Sequence, residues 1–249
     1  MKKTPQLKGK KIFHQAGDEL TIDVYENRYY RWMTFGNSNI QTAISKHQPS
    51  DAVLNYIPAI ALMAGSVSEN GTALLLGLGG GGLIHYLRPR HPYLNLSAVE
   101  IEAEIIDIAK RYFQYSEDAL SHTAHDDARA FLEKSTQQYD TILCDIYTSQ
   151  DYPEHCFATD FFQLCSDHLT KNGSLSINII ADETNQIHQL IAMIKSVFDE
   201  QTVIIPIKGQ SNIVIHAFKQ RNSLKKLLKA SDKLKKVIWD AEWGMMAEI

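Results

Sequence analysis

The stretch Leu74-Leu75-Leu76-Gly77-Leu78-Gly79-Gly80-Gly81-Gly82 constrains this chain more than any other part of it. Residues 73–78 form a continuous apolar run, as expected for a strand buried on both faces in a parallel sheet. The glycines that follow let the backbone turn sharply and approach a ligand closely, with free N–H groups of the next helix aimed at it. A glycine turn alone also serves dinucleotides or mere loop closure, so its meaning rests on what comes next.

What comes next is an alternation of strands and helices. Strands are predicted over 73–78, 93–99, a segment ending at 122–125, 139–144 and 175–180. Between them, helices are predicted from the glycines to about 87, over 104–112, from 128 to 132 and over 161–169, stopped by Lys171-Asn172-Gly173. In the second of these, Ile105, Ile108, Ala109 and Tyr112 share one face at helical spacing. A helix over 185–198 precedes two strands, 202–207 and 212–218, joined without a helix and therefore read as an antiparallel hairpin at one edge. The class is α/β, a Rossmann-like, mainly parallel sheet with helices on both faces, and its ending suits a methyltransferase-type sheet better than a dinucleotide-binding one.

Two flanks complete the organisation. Residues 1–50 read as a β-rich module, with strands at 20–27, 31–35 and 40–44 and a turn at 36–39; Asp51 is placed to cap a helix running through Tyr56 to about 64. Residues 51–220 form the Rossmann-like domain. Residues 221–249 read as an amphipathic helix, with Leu224, Leu227, Leu228, Leu234, Val237 and Ile238 on its apolar stripe and Trp239 and Trp243 near its end.

The predicted strand ends carry the chemistry. Glu100 follows the glycine turn by about 20 residues, where an acid can accept hydrogen bonds from ribose hydroxyls. The next strand end supplies Asp126 and Asp127, and the one after it Asp145. Each could merely cap a helix, and capping accounts well for Asp127 taken alone. It accounts poorly for the whole set, because ligands sit at this edge of open α/β sheets. Against a dinucleotide stands Ile84 where a third glycine belongs if Gly79 and Gly81 are the first pair; a register starting at Gly77 does reach Gly82. Asp127 has no standard role in a dinucleotide site. A sulfonium nucleoside fits better.

Bulk properties narrow the partners. A net charge of −4 supplies no basic field for nucleic acid, so none is expected as a partner. No run approaches the ~20 apolar residues of a membrane span. Cys144, Cys156 and Cys165 are too few and too scattered for a disulfide framework, and the basic start lacks a following apolar run, so a reduced, cytoplasmic protein is expected. His122 and His125 are spaced like helical metal ligands, but on a strand they face opposite sides, and no metal is expected.

Several segments together resemble the spermidine synthase family, the polyamine aminopropyltransferases, and especially its divergent members. They are Val24-Tyr25-Glu26-Asn27, the 35–41 stretch ending in Ile40-Gln41, Leu76 to Gly81, Val99-Glu100-Ile101, Asp127 to Leu132, Tyr139 to Asp145 and Thr159-Asp160-Phe161-Phe162. The resemblance implies an N-terminal β-hairpin module before a Rossmann-like domain of the S-adenosylmethionine-methyltransferase type. It implies S-adenosylmethionine or its decarboxylated form as co-substrate, a small amine as acceptor and a homodimer. By it, Gln41 reaches the nucleoside from the N-terminal module, Gly77, Gly79 and Gly81 form the turn, Glu100 with Ile101 holds the ribose, Asp127 with Ala128 the adenine, and Asp145 stands beside the reacting centre.

Two positions depart from the family pattern. Gly80 stands where the family carries an aspartate that holds the donor's aminopropyl ammonium, and Thr148 stands where it carries the aspartate taken as base. An amine nucleophile is mostly ammonium near neutral pH and must lose a proton before it attacks, so both losses bear on the reaction. Tyr147, just past Asp145, either walls the acceptor pocket or acts as an acid–base group. Three functions follow. The first is aminopropyl transfer to a small amine by direct displacement. The second is methyl transfer from intact S-adenosylmethionine, for which the missing carboxylate at Gly80 relieves repulsion against the donor's own carboxylate. The third is a catalytically silent nucleoside-binding protein.

Overall fold

The computed structural model describes residues 7–17, 20–36, 39–147, 153–180, 184–221, 234–241 and 243–249. The chain begins with an antiparallel meander of β1 (Lys10–Gln15), β2 (Ile22–Glu26), β3 (Tyr30–Thr34) and β4 (Ile40–Ser45). β1 is absent from the sequence expectation because lysines and half-exposed positions, typical of an edge strand, leave it no clean alternation.

The helix expected from Asp51 starts later. α1 covers Ile57–Ile60 with no side-chain cap, and Pro58 sits in its first turn, where a missing N–H is harmless. A 3-10 segment, Ala61–Ser66, continues it. Asp51 lies in a turn, its N–H donating to the Gln48 carbonyl at 3.0 Å.

The central units follow in alternation: β5 (Thr72–Leu76), α2 (Gly82–Leu87), β6 (Asn95–Glu100), α3 (Ala103–Tyr112), β7 (Ser121–His125), α4 (Ala128–Lys134), β8 (Tyr139–Cys144), α5 (Thr159–Asp167), β9 (Leu169–Ile180) and α6 (Thr184–Val197). β10 (Thr202–Pro206), β11 (Asn212–Phe218), β12 (Lys236–Asp240) and β13 (Gly244–Glu248) complete it. Among the described residues the large sheet has nine strands in the order β12-β13-β10-β11-β9-β8-β5-β6-β7. Its five central crossover strands, β7 to β9, are parallel, and β11 runs antiparallel to both β9 and β10.

Three sequence expectations need correction here. The β10–β11 hairpin is not at the edge, since β13 pairs parallel to β10 and β12 lies outside it. Lys171-Asn172-Gly173 do not separate helix from strand; they lie within β9, where the register against β8 shifts between Tyr139 and Thr141. The amphipathic helix expected over 221–249 gives way over Lys236–Asp240 and Gly244–Glu248 to a β-hairpin, while 222–233 lie outside the described residues. Val237, Ile238 and Trp239 are β-branched and aromatic residues, and strand pairing with β13 overrides the weak helical spacing.

The apolar run before the glycines is explained by its two faces. Ala73 and Leu75 enter one hydrophobic cluster, Leu74 and Leu76 the other. Each such leucine contributes about 1.5–3 kcal/mol by leaving water. The N-terminal meander has no separate core. Ile22, Val24, Met33, Phe35 and Ile44 pack with Ile105, Ile108 and Phe113, so α3 holds the module onto the large sheet. Arg31 reinforces this joint, donating to both the Tyr112 carbonyl and Glu26. Among the described residues no helix is long and apolar enough to cross a membrane.

Candidate active site

A cavity of about 360 Å³ opens where the carboxyl ends of β5, β6, β7 and β8 meet the N-terminal module. Nine of the ten residues singled out from the sequence line it: Gln41, Gly77, Gly79, Glu100, Ile101, Asp127, Ala128, Asp145 and Tyr147. Gly81 does not. It precedes α2 in a left-handed conformation, φ 73°, and so serves the helix start rather than the cavity wall.

Gly77 must be glycine on two counts. Its φ is 91°, and a Cβ there would lie 2.4 Å from the Asp145 carbonyl oxygen. This close approach brings β5 and β8 together at the cavity floor, where the Asp145 N–H donates to the Leu76 carbonyl at 2.8 Å.

Asp145 is held through both of its carboxylate oxygens. Its Oδ2 accepts from the Tyr56 hydroxyl at 2.9 Å and its Oδ1 from Asn178 Nδ2 at 2.9 Å. Asn178 is oriented in turn by Asn212, whose Nδ2 donates to Asn178 Oδ1 at 3.0 Å. Desolvation raises the Asp145 carboxyl above its ordinary value, while the Asn178 and Tyr56 donors pull it back. Burial and the neighbouring Asp145 charge push the Tyr56 phenol well above its usual range, so Tyr56 stays a donor. The result is a carboxylate of increased basicity with both oxygens fixed.

Glu100, at the end of β6, is buried. Its Oε2 accepts from the N–H groups of Leu78 at 3.0 Å and Gly79 at 3.3 Å, and Oε1 from Glu102 N–H at 3.2 Å. Desolvation raises this carboxyl too, partly offset by those backbone donors. Glu100 therefore staples the glycine turn open. A carboxylate offers about four acceptor sites, so Glu100 keeps acceptor capacity for a further donor beyond these three backbone bonds.

Asp127 does cap a helix. Its Oδ1 accepts from Ala130 N–H at 2.9 Å at the start of α4, and Oδ2 meets His155 Nε2 at 2.9 Å. Desolvation opposes its charge, but the His155 and Ala130 bonds together outweigh it and hold the carboxyl below its ordinary value. Asp127, His155 and the buried Cys156 bring an oxygen, a nitrogen and a sulfur within 4.8 Å of one another. Burial pushes the Cys156 thiol up to about 12, which leaves it protonated beside the Asp127–His155 pair. His122 and His125 serve different neighbours, Ser97 Oγ at 3.3 Å and the Ile101 carbonyl at 3.0 Å.

Gly80 is enclosed as well. A Cβ at this position would lie 2.7 Å from Thr42 Cγ2 and 2.9 Å from the Phe113 ring. Both neighbours are buried, so the volume that an aspartate side chain would need is already filled. Thr148 lies outside the described residues.

Tyr56, Asn178, Asn212 and His155 were not singled out from the sequence. Asn178 carried a usable signal, because a lone amide in the apolar run Ile177-Asn178-Ile179-Ile180 requires a hydrogen-bond partner. Tyr56 carried none, since its spacing reads as ordinary helix packing.

The family model described as the spermine/spermidine synthase domain matches residues 53–227. A probable polyamine aminopropyl transferase of Bifidobacterium longum is 31% identical over 180 residues, which are 68% of this chain and 40% of that protein. The match thus covers less than half the length of that relative. The spermidine synthase of Thermotoga maritima has the same fold, with a TM-score of 0.69 at 19% identity over 86% of this chain and 75% of that one. Human methyltransferase-like protein 13, solved in complex with SAH, shares it at a TM-score of 0.63 and 18% identity over 76% of this chain and 97% of that one. With its central sheet, its glycine turn and the matched stretch of 175 residues between 53 and 227, the chain belongs to the spermine/spermidine synthase family.

Proposed function

We propose that the cavity binds a nucleoside sulfonium, decarboxylated S-adenosylmethionine, and that the protein transfers its aminopropyl group to a small amine. The observation that carries this reading is the fixed, desolvated Asp145 carboxylate between Tyr56 and Asn178. As substrate, the sulfonium supplies a carbon open to displacement. The acceptor nitrogen forms the new C–N bond while the C–S pair returns to sulfur, and the amine proton passes to Asp145. Raised basicity suits Asp145 to that role. Glu100 supports the reading by holding the turn beside the nucleoside, and the cavity supplies orientation, which accounts for much of the rate in a displacement of this kind.

A second reading is favoured by Gly80. With Thr42 and Phe113 filling the space beside it, no carboxylate meets the donor's tail there, which suits intact S-adenosylmethionine and methyl transfer.

The test is calorimetric titration with S-adenosylmethionine, its decarboxylated form and methylthioadenosine, followed by product analysis with putrescine and related diamines. Preference for the decarboxylated donor with aminopropylated product supports the first reading. Preference for the intact donor moves the assignment to methyl transfer. Binding without turnover on any amine leaves a nucleoside-binding protein, and no binding at all sinks every version.

A further inference from the structure

On one wall of the cavity, Asp127, His155 and Cys156 offer an oxygen, a nitrogen and a sulfur to a common point. No local spacing joins them. Asp127 stands where β7 hands over to α4, and His155 follows 28 positions later in the short 3-10 turn Glu154–Cys156. The spacing of His122 and His125 says nothing about this group, which the fold assembles. The turn is fixed on α4, since Arg129 Nε donates to the His155 carbonyl at 2.9 Å, and the Cys156 N–H donates to the Pro153 carbonyl at 2.9 Å. Asp127 Oδ1 is held by the Ala130 N–H, which leaves Oδ2 as the oxygen directed at the histidine. Cys156 is buried and His155 half-exposed, and the cavity supplies the path by which an ion would enter.

The donor set selects the ion. We propose that Asp127, His155 and Cys156 form a zinc-type site for a borderline-soft divalent cation, with its fourth position open to the cavity. Zinc takes carboxylate oxygen, imidazole nitrogen and thiolate sulfur together, whereas magnesium and calcium call for oxygen ligands. One carboxylate, one thiolate and a neutral imidazole balance a doubly charged ion. Tetrahedral bonds of about 2.0–2.3 Å put the ligand atoms about 3.3–3.8 Å apart. The three donor atoms already lie within 4.8 Å of one another, with His155 Nε2 at 2.9 Å from Asp127 Oδ2. Adjustments of roughly 1 Å complete the geometry, and the half-exposed His155 is free to make them. On binding, the Cys156 S–H bond gives way to a sulfur–metal bond and its proton leaves to solvent. In the neutral imidazole, the proton facing Asp127 moves from Nε2 to Nδ1, which frees Nε2 for the metal.

Neighbouring charges permit the site. The Arg129 guanidinium is committed elsewhere, to Asp160 at 2.8 Å and to the His155 carbonyl. A second histidine–carboxylate pair, His14 with Asp23 at 2.7 Å, shows the difference. There Lys11 Nζ lies 2.7 Å from the same Asp23 oxygen and repels a cation, and among the described residues no third ligand joins that pair.

The experiment uses the full chain and needs no catalytic assay. Cobalt(II), which reports its ligands by colour, is titrated into the wild type, His155→Ala, Cys156→Ser and Cys165→Ala, and zinc binding to the same proteins is measured by calorimetry. Circular dichroism checks that each variant is folded. The expected result is a sulfur-to-cobalt charge-transfer band with tetrahedral d–d absorption in the wild type and in Cys165→Ala, lost in Cys156→Ser. Zinc affinity falls about tenfold to a hundredfold in His155→Ala, a change at a half-exposed side chain that spares the buried core. Zinc binding releases protons, read in buffers of different ionisation heat, and excess magnesium does not displace the zinc. A wild type that binds no zinc overturns the proposal. So does a cobalt spectrum without the sulfur band, a band that persists in Cys156→Ser, or a zinc affinity indifferent to His155→Ala.

Discussion

The Tyr56 hydroxyl donates to Asp145 Oδ2 at 2.9 Å, joining the residue that precedes α1 to the end of β8 across 89 positions of sequence. This bond fixes one carboxylate oxygen and leaves the carboxylate's basicity set by the balance between desolvation and two donors. Tyr56→Phe removes a hydrogen bond to a charged group, worth about 1.5–3 kcal/mol. kcat/KM for the transfer is expected to fall about tenfold to a hundredfold, and the acid limb of the kcat/KM profile to move to higher pH, since a stabiliser of the charged form is gone. Asp145→Asn takes away the proposed proton acceptor and is expected to cost about 10²–10⁴-fold. A pH–rate profile with no shift in Tyr56→Phe would remove the coupling from the mechanism.

Binding of a cationic donor should depend on pH with a definite sign. Glu100 and Asp145 both hold their protons above the ordinary carboxylate range, chiefly through desolvation. A sulfonium favours their charged forms, so donor affinity rises as pH passes upward through the raised carboxyl range and then levels off. Protons are released on binding within that window. Methylthioadenosine, which is neutral, shows a weaker dependence. Calorimetry in buffers of different ionisation heat reads the proton count directly. The same groups act oppositely on folding: their contribution is fully present below the unfolded carboxylate values and is lost as pH rises through the raised folded ones.

Much of this site was legible because its parts sit at chain positions that announce themselves. The run at 73–78 reads as a doubly buried strand, and Leu74 and Leu75 do enter opposite cores. Glu100, Asp127 and Asp145 stand at or just past the ends of β6, β7 and β8, and parallel strands bring such ends together. Long-range pairing was not legible. Asn212 and Asn178 meet because β11 runs antiparallel to β9, a relation that no local pattern encodes. The C-terminal hairpin escaped for a related reason: Val237, Ile238 and Trp239 satisfy a helical spacing, and pairing with β13 decides for strand.

Gly80 yields a prediction about repair. Restoring an aspartate there places its Cβ against Thr42 Cγ2 and the Phe113 ring, and Phe113 is fully buried. Overpacking of this kind costs about 1–3 kcal/mol, a fall in Tm of about 2–4 °C for each kcal/mol at this chain length. Gly80→Asp is therefore expected to lower Tm without improving affinity for the decarboxylated donor. Gly80→Asp with Thr42→Gly, which clears one of the two obstructions, should recover part of the lost Tm. Thermal melts and parallel titrations of both variants decide the matter. A stable single variant with tighter binding would show that the loop has room after all.

The final prediction concerns the joint between the meander and α3. Glu26 receives Arg31 at 2.6 Å and Lys46 at 3.0 Å, and these two cations hold its carboxyl down at about 2. Arg31 simultaneously donates to the Tyr112 carbonyl at the end of α3. Because the folded value lies below the unfolded one, Glu26 adds stability above about pH 4.5, and that share is lost as pH falls toward about 2. Glu26→Gln is expected to lower stability near neutral pH by about 1 kcal/mol, as for a well-formed partly exposed ion network. The difference from wild type should shrink steadily below pH ~4.5, because the wild-type carboxyl is then being protonated as well. Urea melts of both proteins between neutral pH and the onset of acid unfolding measure the gap. A gap that stays constant across that range would mean that Glu26 acts by shape alone and that Arg31 is held by Tyr112 without it.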